Sequence, residues 1–295
     1  MESIRFYTKP EVVNPCLVAA WPGMGGVAIV AARYLAEKLA AEQFARIEPE
    51  EFFDLNVTPV KDSIIAEPEF PENRFYLWKN RAGNDVIIFT GEAQPSMKGY
   101  KLANLILDVA QRYNVDRVYT FAAAPNHIYH TKKPKVLAVT TNAELIPQLE
   151  RHKVTLMHTG SISGMNGLLL GVAVKRNIDG VCLLAEIPVY ATQIPNPRSS
   201  QAVLRTLTEM LGIEIEMTEL DDWGKRIDQQ MEENVDQLAK LSGEQAKKLV
   251  DYFERLKQQA SVEETESQPH PQYETDELLN EIEQFLRGER GKGNN

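Results

Sequence analysis

LVAAWPGMGGVAI, residues 17–29, decides the fold more than any other stretch of this chain. The apolar run predicts a buried strand, residues 22–26 predict a tight turn, and the apolar spacing after them predicts a helix. A helix that begins directly after a glycine-rich turn presents backbone N–H groups that can bind an anion. The stretch therefore indicates either a tight strand–helix crossover or an anion site. The candidate ligand-binding residues here are Gly23, Met24, Gly25 and Gly26.

The glycines of this turn match neither nucleotide-binding fingerprint. No Gly-Lys-Ser/Thr follows them, and the third glycine of the dinucleotide-binding pattern would fall on Ala28. The sequence therefore favours an architectural role, in which the glycines allow backbones to approach closely.

Composition excludes several classes of function. The 295-residue chain has a formal net charge of −10 and no basic stripe, which disfavours nucleic acid as a partner. It has neither an apolar run of membrane-spanning length nor an apolar leader, so we expect a cytoplasmic protein with no membrane association. Cys16 and Cys182 lie beside or within predicted buried strands and are expected to be reduced core residues. The sequence predicts no cofactor.

Strand and helix patterns alternate through the body of the chain. This alternation predicts an α/β fold with a mostly parallel sheet that is covered by helices on both faces. One of the helices is predicted over residues 27–44. Another begins after a second glycine-rich turn, at residues 160–167. Such sheets bind ligands beyond the C-terminal ends of their strands.

Polar residues follow several of the predicted strands. Glu92 and Glu186 could meet the two glycine-rich turns in one crevice and act as general acid and base, or could cap helices and pair with surface lysines. The serines of the second turn do not fit a Gly-x-Ser-x-Gly nucleophile elbow, and Ser163 is favoured as a helix N-cap. The candidate ligand-binding residues of these segments are Gly91, Glu92, Ser161, Ser163, Gly164, Asn166 and Glu186.

The histidines predict no metal site. His127 and His130 lie three residues apart, a spacing that could hold a metal on a helix. Prolines lie nearby and the same loop has no carboxylate or cysteine, so a surface loop is favoured. We also predict no catalytic residue.

The pattern changes near residue 222. Residues 1–222 are predicted to form one domain, residues 223–260 a helical hairpin, and residues 261–273 a disordered acidic linker. Residues 274–295 are predicted to form a short amphipathic helix, at 276–287, and a flexible end. That helix could dock in a partner's groove or pack on the parent domain. Its apolar residues are Leu278, Leu279, Ile282, Phe285 and Leu286.

Four segments together resemble the PAC2 family, named for proteasome assembly chaperone 2. They are LVAAWPGMGGV at 17–27, TGEAQP at 90–95, GSISGMNGLLLG at 160–171, and 180–211. The likeness covers residues 10–220 and is greatest to stand-alone prokaryotic members with a helical C-terminal extension. It implies a three-layer α/β/α sandwich, phosphorylase/hydrolase-like, and a homo-oligomer, either dimer or trimer.

The resemblance also implies a protein partner, since relatives act as assembly chaperones for the proteasome α-subunit ring. Those chaperones dock through a C-terminal tail of hydrophobic–Tyr–any residue. The last residues here are Gly293, Asn294 and Asn295, so docking by that route is not expected. The sequence thus favours a non-enzymatic, oligomeric assembly chaperone. The alternative is an enzyme or sensor that binds a phosphorylated or nucleoside-like small molecule at the glycine-rich turns.

Overall fold

The structure is a computed structural model that describes residues 3–55, 57–81, 83–240 and 244–261. At 244–246 and 261 it describes only the backbone. The predicted linker beyond residue 261 and the predicted terminal helix at 276–287 lie outside the described residues.

Eleven strands are present in the described residues, and nine of them form one sheet. Across this sheet the order is β1-β3-β6-β7-β2-β8-β11-β9-β10, while β4 and β5 form a separate hairpin. The strands are β1 (Ile4–Phe6), β2 (Cys16–Ala20), β3 (Glu42–Ile47), β4 (Val60–Lys61), β5 (Ile64–Ile65), β6 (Asn73–Trp78), β7 (Val86–Gly91), β8 (Arg117–Asn126), β9 (Val136–Thr140), β10 (Thr155–Leu156) and β11 (Asp179–Pro188).

The centre of the sheet is parallel. Strands β7, β2, β8 and β11 run in the same direction, and antiparallel strands extend the sheet on both sides of them. The predicted α/β fold with a mostly parallel sheet is confirmed. Because the four central strands are parallel, their carboxyl ends meet at one edge of the sheet, which we call the C-terminal edge.

Seven helices in the described residues complete the fold. Helices α1 and α5 cover one face of the sheet and α2 and α4 the other, so that Val18 and Ala20 of β2 pack in one core and Leu17 and Ala19 in the second. The helices are α1 (Val27–Lys38), α2 (Gly99–Arg112), α3 (Ile146–Arg151), α4 (Gly164–Lys175), α5 (Pro197–Leu211), α6 (Thr218–Ala239) and α7 (Glu244–Ser261).

Two boundaries differ from the sequence-based expectation. The helix predicted over 27–44 ends at Lys38, because Ala40 takes a left-handed φ of 47° and the chain then returns as β3. The turn was predicted as helix because strong helix formers, such as Leu39 and Glu42, lie on both sides of it. The first helix of the C-terminal hairpin, α6, begins at Thr218 and so starts within the predicted first domain.

Both cysteines are buried and unpaired, as expected of core residues. Burial raises the pKa of Cys16 and of Cys182 to about 12. Within the described ranges, the helices are either too short or too polar to cross a lipid bilayer.

Candidate functional site

Three segments that the sequence singled out meet at the C-terminal edge. They are residues 21–26 after β2, residues 91–95 at the end of β7, and residues 160–167, where α4 begins. We call this meeting point the three-segment junction. Two side chains, those of Gln94 and Asn166, hold it together.

Gln94 connects the first turn to the helix start. Its amide nitrogen donates to the carbonyl oxygen of Pro22 at 2.6 Å, and its amide oxygen accepts from the backbone N–H of Met165 at 3.0 Å. Met165 is the second residue of α4, where an N–H has no intrahelical partner. Ser163 occupies the N-cap position but makes no side-chain capping bond. Gln94 therefore caps α4 in place of the serine that the sequence favoured.

Asn166 binds the backbone on both sides of Trp21. Its Oδ1 accepts from the Trp21 N–H at 3.2 Å, and its Nδ2 donates to the Trp21 carbonyl at 3.5 Å. Asn166 is buried, so these bonds satisfy polar groups that water does not reach. The candidate residue Asn166 therefore links α4 to the backbone that follows β2.

The glycines of the first turn use their backbone groups within the protein. Gly25 and Gly26 take left-handed φ values of 62° and 63°, which only glycine adopts readily. The Gly25 N–H donates to the Thr192 carbonyl at 2.6 Å, and the Gly25 carbonyl accepts from the Asn196 N–H at 2.7 Å. The Gly26 N–H donates back to Gly23. These bonds fit an architectural role, while a ligand at Gly23–Gly26 stays a prediction.

The two candidate carboxylates lie at the C-terminal edge, and each is bound to protein groups. Glu186 is buried, and its carboxylate accepts from the Asn126 amide at 2.7 Å and from the Lys135 backbone N–H at 3.0 Å. Glu92 accepts from the backbone N–H of Glu72 at 2.9 Å and lies 3.6 Å from the Arg74 guanidinium. Both carboxylates stabilise local structure.

An open cleft of about 450 Å³ lies beside the junction. Among the candidate residues, Gly164 lines this cleft, and Glu92 and Glu186 do not. Sequence reasoning missed the other lining residues, although Gln94 and Pro95 stand in a quoted motif. The cleft is lined by Gln94, Pro95, Gly99, Ile162, Gly164, Met165, Gly167 and Leu168.

The rim of the cleft is apolar. Three large side chains that line it or adjoin its lining residues are each more than a third exposed: Met97, Tyr100 and Leu168. Clustered exposed apolar side chains on a soluble protein mark binding surfaces. The chemistry of the cleft therefore suits an apolar group better than a phosphate.

The other half of the C-terminal edge is closed by the hairpin α6–α7. Tyr129, after β8, and Tyr190, after β11, are buried against Tyr252 and Phe253 of α7. We call this set the aromatic cluster. The Tyr190 ring centroid lies 4.9 Å from that of Phe253 and 6.1 Å from that of Tyr252.

The two histidines contact different tyrosines of this cluster. His127 Nδ1 lies 3.2 Å from the Tyr252 hydroxyl, and His130 Nδ1 lies 3.1 Å from the Tyr190 hydroxyl. Burial lowers the pKa of His130 to about 4, against a weaker opposing effect of Glu232. Within the described residues, no group of three or more His, Cys, Asp or Glu side chains is placed to hold a metal ion.

Comparison with known proteins finds archaeal relatives of this chain. An uncharacterised protein of Methanocaldococcus jannaschii is 30% identical over 224 residues, which are 74% of this chain and 82% of that protein. PbaB of Pyrococcus furiosus, described as an archaeal proteasome activator, is 28% identical, with a TM-score of 0.68 over 78% of this chain and 97% of PbaB.

A second solved structure shows the same fold. PbaA of Pyrococcus furiosus, described as an archaeal homologue of proteasome-assembly chaperone, is 22% identical, with a TM-score of 0.61 over 86% of this chain and 99% of PbaA. The family model described as the PAC2 family matches residues 17–235, a span that begins in β2 and ends within α6 and includes the three-segment junction. The chain belongs to the PAC2 family.

Proposed function

We propose that this protein is a non-enzymatic assembly chaperone that binds proteasome subunits and associates with copies of itself. The observation that carries the proposal is the similarity to PbaB, a proteasome activator, which extends over nearly all of that chain. We also propose a cytoplasmic location, which agrees with two buried and unpaired cysteines.

The cleft supports binding in preference to catalysis. Its rim is built of exposed apolar side chains, and a chaperone needs such a surface to cover apolar patches of an unassembled subunit. The carboxylates of Glu92 and Glu186 are engaged elsewhere, with backbone N–H groups and an amide. We therefore assign partner binding to the cleft.

Reconstitution tests the chaperone role directly. Purified full-length protein is added to proteasome α and β subunits from the same organism, and the yield of assembled particles is followed by native electrophoresis. We expect assembly to accelerate several-fold, and an unchanged rate at equimolar protein would contradict the proposal. Sedimentation of the protein alone tests self-association.

Two variants of α4 test the role of the cleft. Leu168 and Val174 are both exposed on this helix, but only Leu168 is among the residues that line the cleft. Leu168→Glu places a charge where a partner's apolar group would be buried and is expected to abolish the acceleration. Val174→Glu is the matched control and is expected to preserve it; equal loss in both would show that the partner binds elsewhere.

Small-molecule binding at the glycine-rich turns is the second candidate, and the size of the cleft favours it. About 450 Å³ lies in the range of small-ligand pockets. A thermal-shift screen with phosphate, nucleotides and nucleosides tests it, because ligand at 100 times its Kd adds about 2.7 kcal/mol of stability. No shift with any compound would remove this candidate.

A further inference from the structure

We propose that the cleft is the docking site of the chain's own C-terminal segment, residues 276–287. The inference does not depend on the chaperone role. Because the proposed function assigns a partner to the same cleft, the tail and that partner would compete for it. It rests on where the described chain ends, on the length of chain that follows, and on matching apolar and charged groups.

The described chain ends near the three-segment junction. Helix α7 packs against α6, with Lys257 3.3 Å from the Glu232 carboxylate, so the end of α7 lies near the level of Asp228. Asp228 pairs with Arg198, at the start of α5. The segment just before α5 is bonded to Gly25, through Asn196 and Thr192.

The path from that end to the cleft runs through these direct contacts and a short stretch of backbone. Pro22, which binds Gln94 in the cleft wall, is three residues from Gly25 and so at most about 11 Å from it. The 14 residues at 262–275 have an r.m.s. span of about 20 Å as a flexible chain, and of up to about 50 Å when extended. The tail therefore reaches the cleft without strain, at an effective concentration in the millimolar range.

Apolar groups match on the two sides. As a helix, the sequence DELLNEIEQFLR at 276–287 would place its apolar residues on one face. That face could bind either a partner's groove or the parent domain. The cleft offers exposed Leu168 in its wall and exposed Met97 and Tyr100 beside it. An amphipathic helix that lies in an apolar groove is a recurrent recognition mode.

Charges match as well. The segment 274–287 carries five acidic residues and one basic residue. Lys98 and Lys101 flank Tyr100 with side chains about half exposed; both pair with Glu51, so two lysines share one carboxylate. Lys175 lies 5.2 Å from the centroid of the Tyr100 ring. Acidic residues beside these lysines favour the tail over a symmetric second copy, which would bring the same three lysines of each copy together.

Disulfide cross-linking in the full-length protein tests the inference. Because Cys16 and Cys182 are buried, introduced cysteines are the reactive ones. The test variant carries Leu168→Cys and Ile282→Cys. One control replaces Ile282→Cys with Gln284→Cys, on the opposite face of the same predicted helix. A second control pairs Ile282→Cys with Ile64→Cys, at a distant exposed site. Circular dichroism confirms that each variant is folded.

We expect the test pair to form an intramolecular disulfide at least tenfold faster than either control, at a rate independent of protein concentration. Equal rates in the three variants would mean that the tail collides with all exposed sites equally without docking, and would overturn the proposal. Disulfide-linked dimers as the main product would overturn it too, because the occupant would then come from a second copy.

Discussion

The C-terminal edge of the sheet has a covered half and an open half, and both are rich in apolar side chains. Over the ends of β8 and β11, the hairpin α6–α7 buries the aromatic cluster. Beside the ends of β2 and β7, the cleft leaves Met97, Tyr100 and Leu168 exposed. Among the described residues, one edge thus serves as core on one side and as surface on the other, and the difference lies in which half the hairpin α6–α7 covers.

The hydrogen bonds of the covered half are buried, whereas those of the open half involve an exposed side chain. In the covered half, buried polar atoms pair with one another, as when the Tyr190 hydroxyl accepts from the His130 backbone N–H at 3.0 Å. In the open half, Gln94 is exposed, and its side-chain amide hydrogen-bonds the backbone of Pro22 and of Met165. The covered half should therefore dominate stability, while the open half keeps its shape through the hydrogen bonds of Gln94.

Tyr190→Ala should have the largest effect. It removes a fully buried ring from the aromatic cluster and is expected to lower the free energy of unfolding by about 3–5 kcal/mol. Tyr190→Phe, the matched control, keeps the ring and removes only the hydroxyl, and should cost about 1–2 kcal/mol. Urea unfolding followed by circular dichroism measures both. Similar small losses would mean that the hairpin contributes little to the stability of this edge.

The centre of the fold was predictable because its signals are local. The apolar run at 17–21 and the glycines after it specify a buried strand and a tight turn within ten residues. Strand β3 was not predicted, since it follows α1 after a short turn and its first residues have helical propensity.

The roles of Gln94 and Asn166 could not be predicted, because their partners are distant in sequence. Gln94 binds residues 71 and 72 positions away, and Asn166 binds one 145 positions away. Asn166 was selected for its place in a glycine-rich turn, which is a local signal, whereas its function depends on how α4 packs beside β2. The cleft was likewise missed, since its walls come from two segments, 94–99 and 162–168, that are distant in sequence.

Gly167→Ala tests whether the wall of the cleft is rigid. A Cβ at this position would lie 2.2 Å from the Ile162 carbonyl oxygen, so the start of α4 must move. We expect a loss of about 2–3 kcal/mol in the free energy of unfolding. Gly171→Ala, one turn further along α4, meets no atom within 4 Å and should stabilise the protein by up to about 1 kcal/mol. A neutral Gly167→Ala would show that the open half adapts freely.

Acid should weaken the covered half through His130. The ring faces Glu232 of α6 at 3.7 Å, with Lys257 of α7 and Arg198 of α5 opposing its protonation. Burial lowers its pKa from 6.5 to about 4. Between these values the unfolded chain binds a proton that the folded chain excludes, so stability falls as the pH falls, by about 2 kcal/mol from pH 7 to 5.

His130→Asn isolates this effect from other titrating groups, because asparagine does not titrate and can still hydrogen-bond Tyr190. Urea midpoints at pH 7 and pH 5 are compared between the variant and the unmodified protein. The variant should lose less stability than the parent on acidification. An identical pH dependence in the two proteins would show that the aromatic cluster does not keep His130 neutral.

Leu168→Ala should have the smallest effect and tests the open half against Tyr190→Ala on the same edge. More than a third of the Leu168 side chain is exposed, so its removal forfeits little buried area and is expected to cost about 0.5 kcal/mol of unfolding free energy. Val174→Ala, also exposed on α4, is the matched control. A largely buried leucine loses more than about 2 kcal/mol of unfolding free energy when it is replaced by alanine. A loss of that size for Leu168→Ala, but not for Val174→Ala, would mean that both halves of the edge are structural core.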